Sequence, residues 1–391
     1  MKILILGGTG FIGNSIFHSL IADYTITIAS RKPIECYDNW RKVDFSKEND
    51  WGKLLTDIDL VINAIGIIEG DFQKIQTEAP LHLFGACVKR NIRIINISAI
   101  GAEKKNPVTK FLQTKKVTDD FVLNYPLGKV IYPGIVLGKN GKSTNFFSAI
   151  ARLPIIPIMN DKAIPLVHIS QLTQLIRNII EEFDKYPQQI FAVSESEKFT
   201  SFLSALKGKK ARFFKIPKFC ISLFFSLFPK ATIGLFSKDT VKLFETTEPG
   251  DYKPIFEKAS SEIQFDSTID NSFLISSIAL SAIVFIWVWS GISSIIAMDE
   301  SYKLMGAITS NHQVSAILIF LGSFADIILG FAVLNKTIRK KVLILQLLFI
   351  VTYTLILTVF APFYWIHPFG VLSKNIPIIA LSFYLLLKNE A

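Results

Sequence analysis

Apolar residues fall into two regimes along the 391-residue chain. Up to about residue 270, short apolar runs are separated by polar and charged stretches. Beyond it, apolar residues continue for the length of whole spans. In the first regime Lys2–Leu6, Ile26–Ala29, Leu60–Ala64 and Ile94–Ile97 are aliphatic without polar alternation. That is the pattern of strands in a parallel sheet covered on both faces. Helix-like stretches separate them, the first running from the glycines after Leu6 to about Ala22. Repeated strand–helix units predict an α/β fold with a doubly wound parallel sheet.

In the second regime Phe273–Ala297 is apolar for about 25 residues, enough to cross a hydrocarbon core of about 30 Å. Val314–Leu334 and Val342–Ala361 are similar, and a shorter run covers about Ile376–Leu387, which either extends back through Phe369-Gly370-Val371-Leu372 or tilts little. Residues 271–391 are thus expected to form an all-α, four-helix transmembrane domain. The loop after the second span holds Lys336, Arg339, Lys340 and Lys341, against one Lys in the loop before it, so both termini are expected in the cytoplasm. Trp287, Trp289, Tyr364 and Trp365 are candidate interfacial anchors. Asp326 is the one acid within a span. Such a group marks either a functional site or a helix–helix hydrogen bond, with His312, Ser290 or Asn375 as partner. His312 and His367 lie near span ends.

Composition sharpens the division. The chain is 50% hydrophobic with a formal net charge of +10. Residues 273–391 hold only seven Lys/Arg and four Asp/Glu, so most of the charge belongs to the N-terminal part. A basic surface there fits either anionic headgroups or ordinary solubility. No aromatic–basic interleaving points to nucleic acid. Cys36, Cys87 and Cys220 are far apart and form no CxxC, so neither a disulfide framework nor a metal site is expected. The chain begins directly in a strand-forming run with no signal-peptide pattern, which predicts a cytoplasmic N-terminal domain.

The chemistry lies in Gly7-Gly8-Thr9-Gly10-Phe11-Ile12-Gly13, between the first strand and first helix. Gly7 permits a tight turn, Gly10 lets backbone approach a pyrophosphate, and Gly13 lets helix pack on strand. The N–H groups of Thr9, Phe11 and Ile12 and the helix dipole then face the anion. The second strand ends in Ser30-Arg31-Lys32 rather than an acid. Arg31 suits a 2′-phosphate, which favours NADP(H) over NAD. Asp44 follows the third strand toward the adenine. Asn63-Ala64-Ile65-Gly66 would line the cofactor cleft.

These motifs, with ISAIGA (97–102), YPGIVLGKNG (132–141) and IPLVHISQL (164–172), resemble an atypical, extended short-chain dehydrogenase/reductase with a Rossmann domain over residues 1–200. The branch includes the NADPH-holding accessory subunit of respiratory complex I and NmrA-like sensors. WVWSGI (287–292) and HPFG…KNIP (367–377) resemble the DoxX-like membrane family. The dehydrogenase resemblance implies a Ser that polarises a carbonyl, a Tyr that transfers the proton, and a Lys that lowers the Tyr pKa and holds the ribose. Ser98 and Lys115 match two of these. Phe111 stands at the Tyr position, and a phenyl ring transfers no proton. Tyr132 replaces an Arg common in the family, and Ser170-Gln171 an acid. Pro133, Gly134 and Ile135 would pass beside the nicotinamide. Together these imply a membrane-anchored oxidoreductase acting on a quinone or lipid carbonyl, or a catalytically degenerate redox sensor or scaffold of a membrane complex.

Residues 201–270 read as a small lid and linker. Within them Phe219–Phe228 is apolar but too short to span. It suits either a core helix or an interfacial element, and Lys207, Lys209, Lys210, Arg212, Lys215 and Lys218 precede it.

Overall fold

A computed structural model describes residues 1–33, 37–67, 70–227, 237–246, 252–259, 272–306, 309–366, 368 and 370–388. The chain forms two compact units, Met1–Lys215 with Val241–Ile269, and Ile216–Thr240 with Asp270–Ala391.

The strands of the first unit are β1 (Lys2–Leu6), β2 (Thr25–Ser30), β3 (Trp40–Lys42), β4 (Leu60–Asn63), β5 (Arg93–Ile97), β6 (Gly128–Pro133), β7 (Ile135–Leu137), β8 (Ile156–Ile158), β9 (Ala163–Ile164), β10 (Leu166–His168), β11 (Gln189–Ala192), β12 (Glu197–Lys198) and β13 (Phe213–Lys215). Its helices are α1 (Phe11–Leu20), α2 (Trp51–Leu54), α3 (Ala79–Val88), α4 (Lys110–Leu123), α5 (Lys142–Ala151), α6 (Ile169–Glu181) and α7 (Phe199–Lys207). Seven strands form one sheet in the order β11-β6-β5-β4-β1-β2-β3, every neighbouring pair parallel. The order reverses between β1 and β4, the switch point where such sheets bind ligands.

Every β1 residue after Lys2 is buried because each face has its own core. Leu4 and Leu6 pack with Leu83 and Phe84 of α3 and Leu112 and Val122 of α4. Ile3 and Ile5 pack with Ile16 and Leu20 of α1 and Leu172 and Ile176 of α6. This is the doubly wound Rossmann architecture that the aliphatic runs predict. A third cluster joins β8, α5 and α7 through Ile156, Phe147 and Phe202.

The segment 201–270 is divided rather than forming a unit of its own. Phe202, Leu203 and Leu206 of α7 and Ala259 belong to the third cluster, and β13 pairs with β8. The next helix, α8 (Lys218–Leu227), instead packs Phe224 against the apolar cluster of the second unit. Helix α9 (Lys238–Thr246) follows, and most of the expected linker lies outside the described residues.

The second unit contains α10 (Ser272–Ile296), α11 (Met298–Gly306), α12 (His312–Ala332), α13 (Arg339–Phe360) and α14 (Asn375–Lys388). Among the described residues three helices are long and apolar enough to cross a membrane: Ile275–Ile296, His312–Ala332 and Arg339–Phe360. Of the two readings of the last apolar run, the structure gives the short one. At 14 residues α14 reaches about 21 Å, short of the hydrocarbon core. The extension back toward residue 369 does not form, because Gly370 takes φ 57° in a turn before the helix. Helices α10 and α12 approach closely: a Cβ on Gly291 would lie 2.4 Å from the Ser323 carbonyl oxygen, and one on Gly330 3.0 Å from the Val288 nitrogen. Small residues at such crossings let backbones touch. Trp287, expected at the interface, is instead 5% exposed beneath Gly330. Trp289 and Trp365 are exposed.

Candidate functional site

The loop between β1 and α1 is built for glycine. Gly7 has φ +76°, in the left-handed region, and a Cβ on Gly13 would lie 2.2 Å from the Gly7 carbonyl oxygen. Gly10 donates to that oxygen at 2.8 Å, and the first helical bond is Asn14 N–H to Gly10 at 2.8 Å. The N–H groups of Phe11, Ile12 and Gly13 therefore precede the intrahelical ladder. Helix α1 has no side-chain cap and no acid in its first turn, so its positive end is uncompensated. Thr9 is exposed beside it. The Phe11 ring turns away to pack on Gly138 and Gly141, leaving its backbone as the part that can meet a ligand. This cradle, closed to any side chain and offering free N–H groups, fits the diphosphate of a dinucleotide.

At the carboxyl end of β2, Arg31 is exposed. Asp44 sits close enough to feel its charge. Hydrogen bonds from Ser46 hold that carboxyl below its ordinary value, with smaller contributions from Lys47 and Arg31. The Ser46 hydroxyl and N–H reach Asp44 Oδ1 at 2.7 and 3.0 Å.

The ends of β4 and β5 meet α4 in a buried polar chain. Asn63 Nδ2 donates to Asn96 Oδ1 at 2.8 Å, and Asn63 Oδ1 accepts from Ile65 N–H at 3.2 Å. Asn96 Nδ2 donates to Asp119 Oδ1 at 2.8 Å, and Ser98 Oγ donates to Asp119 Oδ2 at 2.5 Å. Burial pushes the Asp119 carboxyl up to about 6, against the opposing pull of Ser98, Lys115 and Asn96. Lys115, 5% exposed, donates from Nζ to the Ile97 carbonyl at 2.9 Å. Burial lowers its pKa, and Asp119 works against that. A Cβ on Gly66 would sit 3.9 Å from Lys115 Nζ and 4.0 Å from Gln76 Oε1. Gln76 in turn donates to Thr114 Oγ1 at 3.1 Å. Ala64 holds the strand end through its N–H to Leu6.

The structure thus brings Asn63, Gly66, Ser98, Lys115 and Phe111 to one corner, with roles that differ from the expected ones. Ser98 does not present a hydroxyl to a substrate: it is 5% exposed and its proton is engaged by Asp119. The Phe111 ring centroid is 5.9 Å from Lys115 Nζ and 6.3 Å from that of Phe72. Tyr132 is buried, stacks on Phe191 with centroids 5.4 Å apart, and has its pKa raised by burial and then by Asp119. Pro133 accepts from Ile100 N–H, while Gly134 and Ile135 donate to Ala192 and Pro165. Those N–H groups and that carbonyl are committed to strand pairing. Asp119, Asn96 and Gln76 were not singled out from sequence. The available signal was Asp119 four residues after Lys115, which on a helix reads as an ordinary surface pair.

In the second unit Asp326 Oδ2 accepts from Ser290 Oγ at 2.9 Å, the helix–helix bond expected as one alternative. Its Oδ1 is buried without a hydrogen-bond partner among the described residues. His312 stacks on Tyr302 at 4.1 Å, and Asn375 donates to Thr354. His367 lies outside the described residues.

Residues 3–126 match the NAD dependent epimerase/dehydratase family, and residues 284–383 match the DoxX-like family. A curated relative, Protein FMP52, mitochondrial, from Meyerozyma guilliermondii, is 26% identical over 228 residues, covering 53% of this chain and 88% of its own length. Among solved structures, UDP-glucuronic acid 4-epimerase from Bacillus cereus in complex with NAD is 19% identical, covering 56% of this chain and 88% of that one, with a TM-score of 0.46. A dTDP-4-dehydrorhamnose reductase from Yersinia enterocolitica is 16% identical, covering 56% and 85%, with a TM-score of 0.47. The chain therefore carries a Rossmann-type domain of the NAD-dependent epimerase/dehydratase class at its N-terminus and a DoxX-like domain at its C-terminus.

Proposed function

We propose that this chain is a membrane-anchored NADP(H)-binding oxidoreductase whose acceptor is a lipid-dissolved quinone rather than a carbonyl. One observation carries the reading: a complete glycine cradle stands beside a corner where, among the described residues, neither the Tyr position nor Ser98 offers a free hydroxyl. Phe111 has no hydroxyl, and the Ser98 hydroxyl is held by Asp119 at 2.5 Å. Reduction of a carbonyl gives a strongly basic alkoxide that needs a positioned acid. A reduced quinone oxygen is a far weaker base and takes its proton from water. When bound, NADPH supplies a hydride. The chain's own residues hold the diphosphate at Gly7–Gly13, favour the 2′-phosphate at Arg31, and place the Lys115 ammonium beside Gly66. A covalent tether to membrane spans suits a substrate that partitions into the bilayer.

The second reading is a cofactor-retaining redox sensor or scaffold for a membrane complex. Its support is that Ser98 and Lys115 are both committed to internal partners. The cationic loop at Lys336–Lys341 supports placing that loop, and the nucleotide domain, on the cytoplasmic side of a bacterial-type inner membrane. A mitochondrial membrane, the location named for the relative from Meyerozyma guilliermondii, is the alternative address.

The test is a titration of the full chain in detergent with NADPH and NADH, read by nicotinamide fluorescence, followed by a panel of quinones, aldehydes and ketones. Signal decay with quinones alone supports the oxidoreductase reading. A stable NADPH complex that nothing discharges supports the sensor. Failure to bind either nucleotide overturns both.

A further inference from the structure

The nucleotide unit carries an exposed ribbon that the proposed chemistry does not use. Strands β8 and β13 pair in parallel, with Ile156 opposite Phe213 and Pro157 opposite Phe214. Paired residues on neighbouring strands share a face, and successive residues alternate between faces. Ile156 and Phe213 turn inward to the third core cluster, so Pro157 and Phe214 turn outward. Phe214 is 59% exposed, and Ile155, on the same side as Pro157, is 56% exposed. Pro157 is exposed as well. An aromatic and an aliphatic side chain standing together in water mark an interaction surface.

Cations surround this apolar spot, and the hydrogen bonds of the ribbon place them. Ile156 N–H donates to the Arg212 carbonyl at 2.8 Å, and Lys207 Nζ donates to the Leu153 carbonyl at 2.5 Å. Arg212 stands two residues before Phe214, and Lys215 stands one after it, opposite Ile158. Lys209 and Lys210 lie in the connection between α7 and β13. Lys209, Lys210, Arg212 and Lys215 are all exposed. Among the described residues none of these four side chains enters an ion pair or a hydrogen bond. No Asp or Glu occurs between Asp120 and Asp161, nor between Glu197 and Asp239, so neither strand nor its flanks supplies an acid to answer them.

An apolar spot ringed by free cations is complementary to an apolar phase behind a layer of negative charge. A nucleic acid answers the cations but gives Ile155 and Pro157 nothing to enter. The chain itself favours a bilayer. Strand β13 ends at Lys215 and α8 opens at Lys218, with Phe219 72% exposed and Phe224 packed in the cluster of the apolar helices. The five residues from Phe214 to Phe219 reach at most about 18 Å, so the covalent chain alone keeps the ribbon within reach of a bilayer. We infer that the outward face of the β8–β13 ribbon docks on an anionic lipid surface. Phe214 and Ile155 enter the boundary between headgroups and acyl chains, and Lys209, Lys210, Arg212 and Lys215 face lipid phosphates. The inference shares with the proposed function only the reading of α10, α12 and α13 as membrane spans.

Amine footprinting of the full chain in nanodiscs tests it. Discs of phosphatidylcholine alone and discs that also contain phosphatidylglycerol are treated with an acetylating reagent, and modified lysines are quantified by mass spectrometry. Lys209, Lys210 and Lys215 should react about tenfold more slowly in the anionic discs, and high salt should return them to the neutral rate. Lys47 and Lys89, exposed elsewhere on the same unit, should keep one rate in both. Arg212→Glu with Phe214→Ser, both at exposed positions, should restore the neutral rate at the three lysines without changing the unfolding temperature. Equal rates in the two kinds of disc overturn the inference, as does slowing shared by Lys47 and Lys89. So does slowing that salt and the double variant both leave intact. Protection of the same lysines by a single-stranded oligonucleotide in neutral discs, with none from phosphatidylglycerol, overturns it in favour of a nucleic-acid surface. Extraction of the chain from membranes by alkaline carbonate removes the membrane reading itself. A chain that stays embedded with the three lysines unprotected loses only this surface.

Discussion

Removing the Asp119 side chain tests the account of the nucleotide corner most directly. Asp119 accepts from Asn96 at 2.8 Å and Ser98 at 2.5 Å, and all three residues are at most 5% exposed. The comparison belongs at pH 5, below the raised pKa of about 6, where the carboxyl is largely protonated and charge contributes little. Asp119→Ala then orphans two buried polar groups, each costing about 1–3 kcal/mol, or about 4 kcal/mol together. For a unit of this size that corresponds to a fall in Tm of roughly 8–16 °C. Asp119→Asn keeps the shape. Its carbonyl accepts from Asn96 and its amide donates to a rotated Ser98, so the cost should stay within about 1 kcal/mol. The assay is thermal unfolding of the full chain in detergent, followed by intrinsic fluorescence. A loss under about 3 °C for the Ala variant would show that the polar chain contributes little. Equal damage from both variants would show that restoring the two hydrogen bonds with an amide does not restore the corner, and would refute the hydrogen-bond account.

The pH dependence of the same group has a definite sign. Its folded pKa of about 6 lies above the ordinary 3.8, so the folded state binds the proton more tightly and stability falls as pH rises from about 4 to 6. The loss is roughly 2–3 kcal/mol by linkage, and Asp119→Asn should remove it, so a variant with an unchanged pH–Tm slope would contradict the assignment. Gly13→Ala puts a methyl 2.2 Å from the Gly7 carbonyl oxygen and should abolish the NADPH fluorescence signal; retained binding would mean the cradle is not the nucleotide site. Arg31→Glu should weaken NADPH binding at least tenfold with little change for NADH, and a parallel loss of both would remove the 2′-phosphate role. Phe111→Tyr alone should give no NADPH oxidation with aldehydes or ketones, because the Ser98 hydroxyl stays with Asp119; carbonyl turnover in this variant would refute the committed-serine account.

The sheet was legible because a strand buried on both faces has one sequence solution, a continuous aliphatic run. Ile3 and Ile5 face one core while Leu4 and Leu6 face the other. The glycine loop was legible for a similar reason, since Gly13 occupies a position that no other residue fits. The polar chain behind it was not. Asn63, Asn96 and Asp119 come from three elements, and only sheet order makes them neighbours, so no local spacing records their contact. Trp287 was misread because interfacial tryptophan is the common case in membranes; only the crossing at Gly330 shows it covered. The length of the last helix was left open because composition counts apolar residues through Gly370 without registering its φ of 57°.

What survives and what is missing at the nucleotide corner point in one direction. Cofactor binding depends on backbone geometry at Gly7–Gly13, which tolerates almost no substitution. Carbonyl chemistry depends on side chains that are cheap to change, and here one is a phenyl ring and another is bonded inward. The committed Ser98 is the more telling of the two. A lost Tyr could be replaced by another acid near Phe111, but the Ser98–Asp119 bond uses the donor that would have oriented the carbonyl, and it does so as part of a chain running to Asn63 at the cofactor cleft. The same residues that would have served a carbonyl now tie α4 to the ends of β4 and β5, where the nicotinamide half of a dinucleotide would rest. On the proposed reading, such a corner would hold a cofactor and leave proton delivery to solvent, a division of labour that suits a quinone acceptor or a bound-state sensor better than a carbonyl reductase built on the usual triad.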